Sequence, residues 1–199
     1  MKSEQTYIKK PVVKLTGKET FKNTGTKKFS ILEFWQYGFS NLNSNVLRGV
    51  LAEFLLECAL KDDVTKELRN PWGDFDVLYQ GKKIEVKCSS YLQDWNQHKL
   101  STIRWSGLKA SDLYWSSAES KPKRSKEKSY KSDIYVLAFV HHIYTDTLNL
   151  LDLNQWSFFV LSREEVKQMS KDGNSISLSR LCKEGCVPVL FNHLPQYFV

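Results

Sequence analysis

The run Asp133-Ile134-Tyr135-Val136-Leu137-Ala138-Phe139-Val140 constrains this chain more than any other stretch. It is apolar without alternation and rich in β-branched and aromatic residues, the pattern of a strand covered on both faces. Such a strand belongs in the middle of a sheet, so the rest of the chain must supply a layer on each side. Gln155-Trp156-Ser157-Phe158-Phe159-Val160-Leu161 predicts a second strand. Neither run approaches the ~20 apolar residues that cross a bilayer.

The covering elements are legible as helices. Ser30 and Glu33 stand at capping-box spacing, predicting a short helix over residues 30–37. Asn45 introduces Val46, Leu47, Val50, Leu51, Phe54, Leu55 and Cys58 at helical spacing. Ser162 and Glu165 form another capping box, predicting a helix to Met169, and residues 175–183 predict a short one before the tail Val187-Pro188-Val189-Leu190. His98 to Trp105 predicts a third strand. Together these elements predict an α/β fold, a mixed β-sheet flanked by helices. The chain has 199 residues, 41% hydrophobic and 13% aromatic, enough for a sizeable core. We expect a basic N-terminal arm over residues 1–28 and a single domain over residues 29–199. Within the arm, Tyr7-Ile8 and Val12-Val13-Lys14-Leu15 are candidates to pair as a short strand.

Between the second helix and the buried strands lies Gly73-Asp74-Phe75-Asp76-Val77-Leu78-Tyr79-Gln80-Gly81-Lys82-Lys83-Ile84-Glu85-Val86-Lys87. It reads as a β-hairpin: Asp76 starts an apolar run, Gln80-Gly81 turns, and Ile84 to Lys87 returns. Alternation sets Glu85 and Lys87 on one face and Ile84 and Val86 on the other. Two carboxylates and a lysine converging on one spot suit a hard divalent cation with a water beside it, the chemistry of phosphodiester hydrolysis. Asp74 shares the face of Asp76 if the strand begins that early; it is either a supporting or an exposed acid.

Asp76 followed by Glu85-Val86-Lys87 resembles the signature of the PD-(D/E)xK nucleases, the restriction-endonuclease-like superfamily, over residues 44–105. The resemblance implies a restriction-endonuclease-like core and a Mg2+-dependent endonuclease acting on DNA, with Mn2+ as a substitute. It puts the metal on Asp76, Glu85 and the backbone carbonyl of Val86, and gives Lys87 the task of orienting or activating the attacking water. Many members present a further Glu from an upstream helix; the matching residue is Glu53, in Gly49-Val50-Leu51-Ala52-Glu53. Glu57 lies one turn on without the nearby glycine and ranks below it. No proline immediately precedes Asp76, a position the family keeps poorly. Small stand-alone members serve restriction, repair or mobile elements, and a homodimer would set two active sites for double-strand cleavage.

Glu-x-Lys is common in a chain that is 26% charged. Glu165-Val166-Lys167 falls on a predicted helix, where residues two apart point to different sides. Glu119-Ser120-Lys121 falls in a polar, proline-containing loop. Only Glu85-Val86-Lys87 pairs with a strand carrying a carboxylate. The bland reading of that hairpin is an edge with solvated charges. After it, Gln93 and Gln97 suit contact with phosphate or a base edge; Trp95 and Trp105 read as packing residues, and Cys88 as a small buried residue. Cys182-x-x-x-Cys186 with His193 lacks the second pair that a closed zinc site needs. His141 and His142 face opposite sides of a strand end. Without a glycine-rich phosphate loop, ATP use has no support.

The formal net charge is +7, unevenly spread. Residues 1–28 carry eight lysines against two glutamates, and residues 119–131 carry six basic residues against two acidic ones, +6 and +4, so the remainder sums to −3. Such segments either aid solubility or meet a polyanion with counterion release. Beside a nuclease-like motif, DNA is the expected partner, met by Lys121, Lys123, Arg124, Lys126 and Lys128 of the second segment, read as a loop. Four cysteines do not make a disulfide framework, and the polar N-terminus lacks a signal-peptide core, so no membrane association and a cytoplasmic location are expected. Two other readings stand beside the nuclease: a non-catalytic DNA-binding module that retains the fold, and an interaction protein whose hairpin charges are incidental.

Overall fold

The computed structural model describes residues 10–61, 68–70, 73–114 and 123–198. By contact the chain divides into Met1–Asn41 and Leu42–Val199. The division falls after Asn41, so the first helix groups with the residues expected to form the arm. In that first unit, α1 (Ile31–Phe39) opens on the capping box read from the sequence. The Glu33 carboxylate accepts from the Ser30 N–H at 2.5 Å and from its hydroxyl at 2.9 Å. Gly17, at φ +91°, lets the backbone pass close to Trp35: a Cβ there would meet the indole at 3.2 Å. Val12-Val13-Lys14-Leu15 pairs with no strand among the described residues, and Val12 and Val13 are exposed; Tyr7 and Ile8 lie outside the described residues.

The second unit runs α2 (Asn45–Leu60), β1 (Val77–Tyr79), β2 (Lys82–Ser90), β3 (Arg104–Ser106), β4 (Ala110–Tyr114), β5 (Lys123–Ser129), β6 (Ile134–Val140), β7 (Trp156–Ser162), α3 (Arg163–Met169), β8 (Ser175–Ser177) and α4 (Leu178–Lys183). Short 3-10 turns cover Thr145–Thr147, Leu153–Gln155 and Phe191–Tyr197. It is a mixed α/β structure. The main sheet has the order β1-β2-β6-β7, with β2 and β6 parallel and both outer pairs antiparallel. The run that dominates the sequence is the inner strand β6, flanked along its length by β2 and β7.

Alternation divides the core into two layers. Val136, Ala138 and Val140 of β6 join Ile84 and Val86 of β2, Trp156 and Phe158 of β7, and Ala52, Leu55 and Leu56 of α2 on one face. Tyr135, Leu137 and Phe139 join Phe159, Leu161, Trp105, Val166, Ile176 and Leu181 on the other, where β3, β8, α3 and α4 lie. Each fully buried large side chain contributes about 1.5–3 kcal/mol.

Four local expectations change. The cap of α2 is Ser44, whose hydroxyl accepts from the Leu47 N–H at 3.4 Å, one residue ahead of Asn45. The strand expected over residues 98–105 shrinks to Arg104–Ser106 and pairs with β8 instead of the main sheet. The helix expected over residues 175–183 begins only at Leu178, because Ser175–Ser177 is β8 itself. The basic loop is in part a strand: β5 pairs antiparallel with β4 as a two-stranded ribbon. Its Lys- and Ser-rich composition hides a strand that is made by pairing alone.

Candidate active site

The hairpin forms as read, with Gln80 and Gly81 both at positive φ in its turn. Strand β1 is short, and its end makes the site. Val77 stands opposite Ile84, and the Asp76 N–H donates to the Ile84 carbonyl at 3.0 Å. There the backbone ladder stops. The next N–H on that side of β2, that of Val86, donates to the Asp76 carboxylate at 2.8 Å. The side chain thus takes the place of a strand backbone and is held at the edge of β2. The Val86 carbonyl points to the same side as its N–H, toward Asp76.

Glu85 and Lys87 share the opposite face from the Ile84 and Val86 core positions, beside Tyr135 and Leu137 in the parallel register. They form an ion pair with each other. Gly107, at φ +75°, brings the loop after β3 over Lys87: a Cβ there would stand 3.8 Å from the lysine Cε. The Tyr135 hydroxyl donates to the Leu108 carbonyl at 3.2 Å, tying that loop to β6. Its phenol is pushed up to about 12 chiefly by burial, against the backbone at Ser132 and with a lesser push from the Glu85 charge.

Glu53 comes from α2, on the other side of the sheet edge. Its carboxylate is held by the Arg69 guanidinium through two nitrogens, Nη2 to Oε1 at 2.7 Å. Asp76 feels both glutamates. Burial, then Glu85, then Glu53 push its carboxyl up to about 7, against the Val86 N–H and Lys87. Three acids therefore share one electrostatic neighbourhood, two of them already paired with cations. Glu57, which the sequence ranks below Glu53, pairs with Lys61 at 3.1 Å instead. Asp74 is exposed.

Among the described residues, no group of three or more His, Cys, Asp or Glu side chains is arranged to hold a metal ion. Mg2+ asks for less, commonly one or two carboxylates with waters and substrate oxygens making up six hard ligands. Asp76, Glu85 and the Val86 carbonyl are a donor set of that kind.

Gln93 and Gln97 are committed within their own loop. The Gln97 side-chain oxygen accepts from the Gln93 N–H at 2.7 Å, and its amide nitrogen donates to the Tyr91 carbonyl at 3.2 Å. Gln93 donates to the Ser90 carbonyl at 2.8 Å and accepts from Arg48 Nη2 at 3.1 Å. They line an open cleft of about 520 Å³ with Asn96, His98 and Lys99. Trp95 lines it too; expected to pack, it is 56% exposed, whereas Trp105 is buried with its indole N–H on the Ala138 carbonyl at 2.8 Å. Burial pushes the Cys88 thiol up to about 12 despite the neighbouring Arg48, which suits a packing residue. Lys123, Arg124, Lys126 and Lys128 lie on β5, and all four are exposed; Lys121 lies outside the described residues. Glu165 is spent in the capping box with Ser162, accepting from its N–H at 2.7 Å.

Two arginines escaped the sequence reading. Arg69 has no local signal, since its contact with Glu53 spans a stretch without periodicity. Arg48 does have one: it stands with Ala52 and Leu55 or Leu56 on the apolar stripe of α2. It is only 3% exposed, donating to Asn43, Asn45 and Gln93, and so ties the start of α2 to the loop after β2. No helix of the described residues is long and apolar enough to cross a membrane. Compared with known proteins, the chain matches no family model and no curated protein.

Proposed function

We propose that this chain is a Mg2+-dependent endodeoxyribonuclease built on a restriction-endonuclease-like core. The observation that carries the reading is the Asp76 carboxylate on the Val86 N–H at 2.8 Å, at the edge where Glu85 and Lys87 stand on the same strand. The sheet agrees with it: the Asp76 hairpin pairs with an inner parallel strand, and α2 lies behind.

Asp76, Glu85 and the Val86 carbonyl would hold the cation, with Mn2+ an acceptable substitute. A cation bound there would act as a Lewis acid on the phosphate and lower the pKa of a bound water. The residues of the chain do the rest. Asp76 is held in place by its backbone hydrogen bond, so it needs no rearrangement to serve as a ligand. Lys87, on leaving its pairing with Glu85, reaches the same spot to orient the water or meet the charge that develops on phosphate. Glu53 stands behind Asp76 on Arg69 and would support an outer-shell water on leaving that pairing. Duplex DNA, restriction or repair roles, a homodimer and a cytoplasmic location belong to this reading.

A second reading, a DNA-binding module that does not cut, is favoured by one observation. Glu85 and Glu53 both have cations on their carboxylates, Lys87 and Arg69. One assay separates the two: nicking and cutting of plasmid DNA with Mg2+, Mn2+ or EDTA. The nuclease reading expects metal-dependent cutting that falls by ~100-fold or more in Glu85→Gln and in Lys87→Ala. Binding without cutting of any substrate would give the module the lead. Cutting that survives both substitutions would place the active site elsewhere.

A further inference from the structure

We propose that the β4–β5 ribbon is a DNA-docking arm that enters the major groove of a duplex and positions it, apart from the residues that cut. The inference rests on the nuclease reading for its choice of polyanion and on the ribbon's own geometry for the rest.

A two-stranded ribbon is marginal in water unless something holds it. Strand β5 contributes no residue to either core cluster. What holds the ribbon is a clamp at its base, on the turn between α3 and β8. Ahead of β4, the Lys109 N–H donates to Asn174 Oδ1 at 2.7 Å, and its ammonium reaches the Asp172 carbonyl at 2.6 Å and carboxylate at 2.7 Å. After β5, the Tyr130 hydroxyl donates to the Gly173 carbonyl at 2.7 Å. Lys109 then lies over the Tyr130 ring, 4.9 Å from its centroid, so both legs are joined to each other as well as to the turn. Asp112, Ser125 and Lys131 add polar ties higher up: the Asp112 N–H donates to the Ser125 hydroxyl at 2.8 Å, and Lys131 pairs with Asp112.

The base is therefore fixed. Along β5 every described residue but Ser125 is exposed. Arg124 stands opposite Leu113 and Lys128 opposite Ser111, two β4 positions that share a face. The bulge between them takes up Ser125 to Glu127, so Arg124 and Lys128 point to the same side despite it. A two-stranded ribbon is one of the two elements that a B-DNA major groove admits, and long cations on its face reach phosphate and the acceptor edge of guanine.

The test is equilibrium binding of a labelled 30-base-pair duplex and of the matching single strand, in EDTA so that nothing is cut, across a salt series. The ribbon variant is Arg124→Ala/Lys126→Ala/Lys128→Ala. A control removes the same charge from exposed lysines elsewhere, Lys82→Ala/Lys167→Ala/Lys183→Ala, and circular dichroism checks both folds. The ribbon variant is expected to weaken duplex binding by at least ~10-fold and to flatten the salt slope by about three, while the control changes far less. Equal weakening in both variants would reduce the effect to net charge and overturn the docking arm. So would unchanged duplex binding, or an equal loss on single-stranded DNA. Ribbon-dependent binding to phosphatidylserine vesicles with none to duplex DNA would make it a membrane-surface element and overturn it as well. Because no cutting is measured, failure of the nuclease assay leaves this result standing by itself.

Discussion

At the residue scale the site turns on how one acid is held. Asp76 accepts a backbone N–H where a strand would have continued, and burial with two neighbouring glutamates makes its neutral form the easier one to keep. The consequence for pH follows from the sign of that shift. An acid raised in the folded state from 3.8 to about 7 stabilises the fold fully below its ordinary value, and that stability is lost as pH rises through about 7. The metal-free protein should therefore lose stability relative to Asp76→Asn as pH climbs through this window, by about 1 kcal/mol or more. Asparagine keeps an acceptor for the Val86 N–H and removes the charge. Thermal melts of both proteins in EDTA across the range would show two curves diverging with pH. Parallel curves would mean that Asp76 titrates normally and that the three acids are not coupled.

At the element scale the molecule shows which local signals survive folding. Both capping boxes form as read, and the one at α3 is complete: Ser162 accepts from the Glu165 N–H at 3.2 Å while Glu165 accepts from the Ser162 N–H and hydroxyl. Ser162→Ala should lower stability by about 1 kcal/mol, seen as a shifted urea midpoint with an unchanged m-value. An unshifted midpoint would show that β7, which ends on the same serine, holds the helix start by itself. The ribbon shows the opposite case. Nothing in Lys-Arg-Ser-Lys-Glu-Lys-Ser favours a strand, and β5 exists because β4 pairs with it and the α3–β8 turn holds both legs.

At the scale of the whole molecule, both core clusters lie within residues 42–199. A protein of those residues alone should unfold cooperatively. The segment Met1–Asn41 carries eight lysines and three glutamates, +5 in net charge. Its removal should lower duplex affinity and flatten the salt slope while the thermal transition stays sharp. A broad, non-cooperative transition would show that the second unit needs the first.

The inner strand β6, the apolar face of α2, the two capping boxes and the Asp76 hairpin are legible in the chain alone, whereas β7, an apolar run of the same kind, lies at the outside of the sheet. Each legible feature is written in local terms: an unbroken apolar run, a cap three residues from its glutamate, a period of two. The sequence was silent on Arg69 beside Glu53 and on β3 leaving the main sheet for β8, and it misled on Trp95, expected to pack but exposed, and on the basic segment, expected as a loop but in part a strand. Those depend on partners far along the chain, and composition carries no record of which distant backbone or charge will be met. Arg48 lies between the two: its place on an apolar stripe was legible, but not its hydrogen bond to Gln93. The approach of Glu53 to Asp76 is likewise tertiary, since only the packing of α2 against the sheet brings it to the hairpin that already joins Asp76 and Glu85.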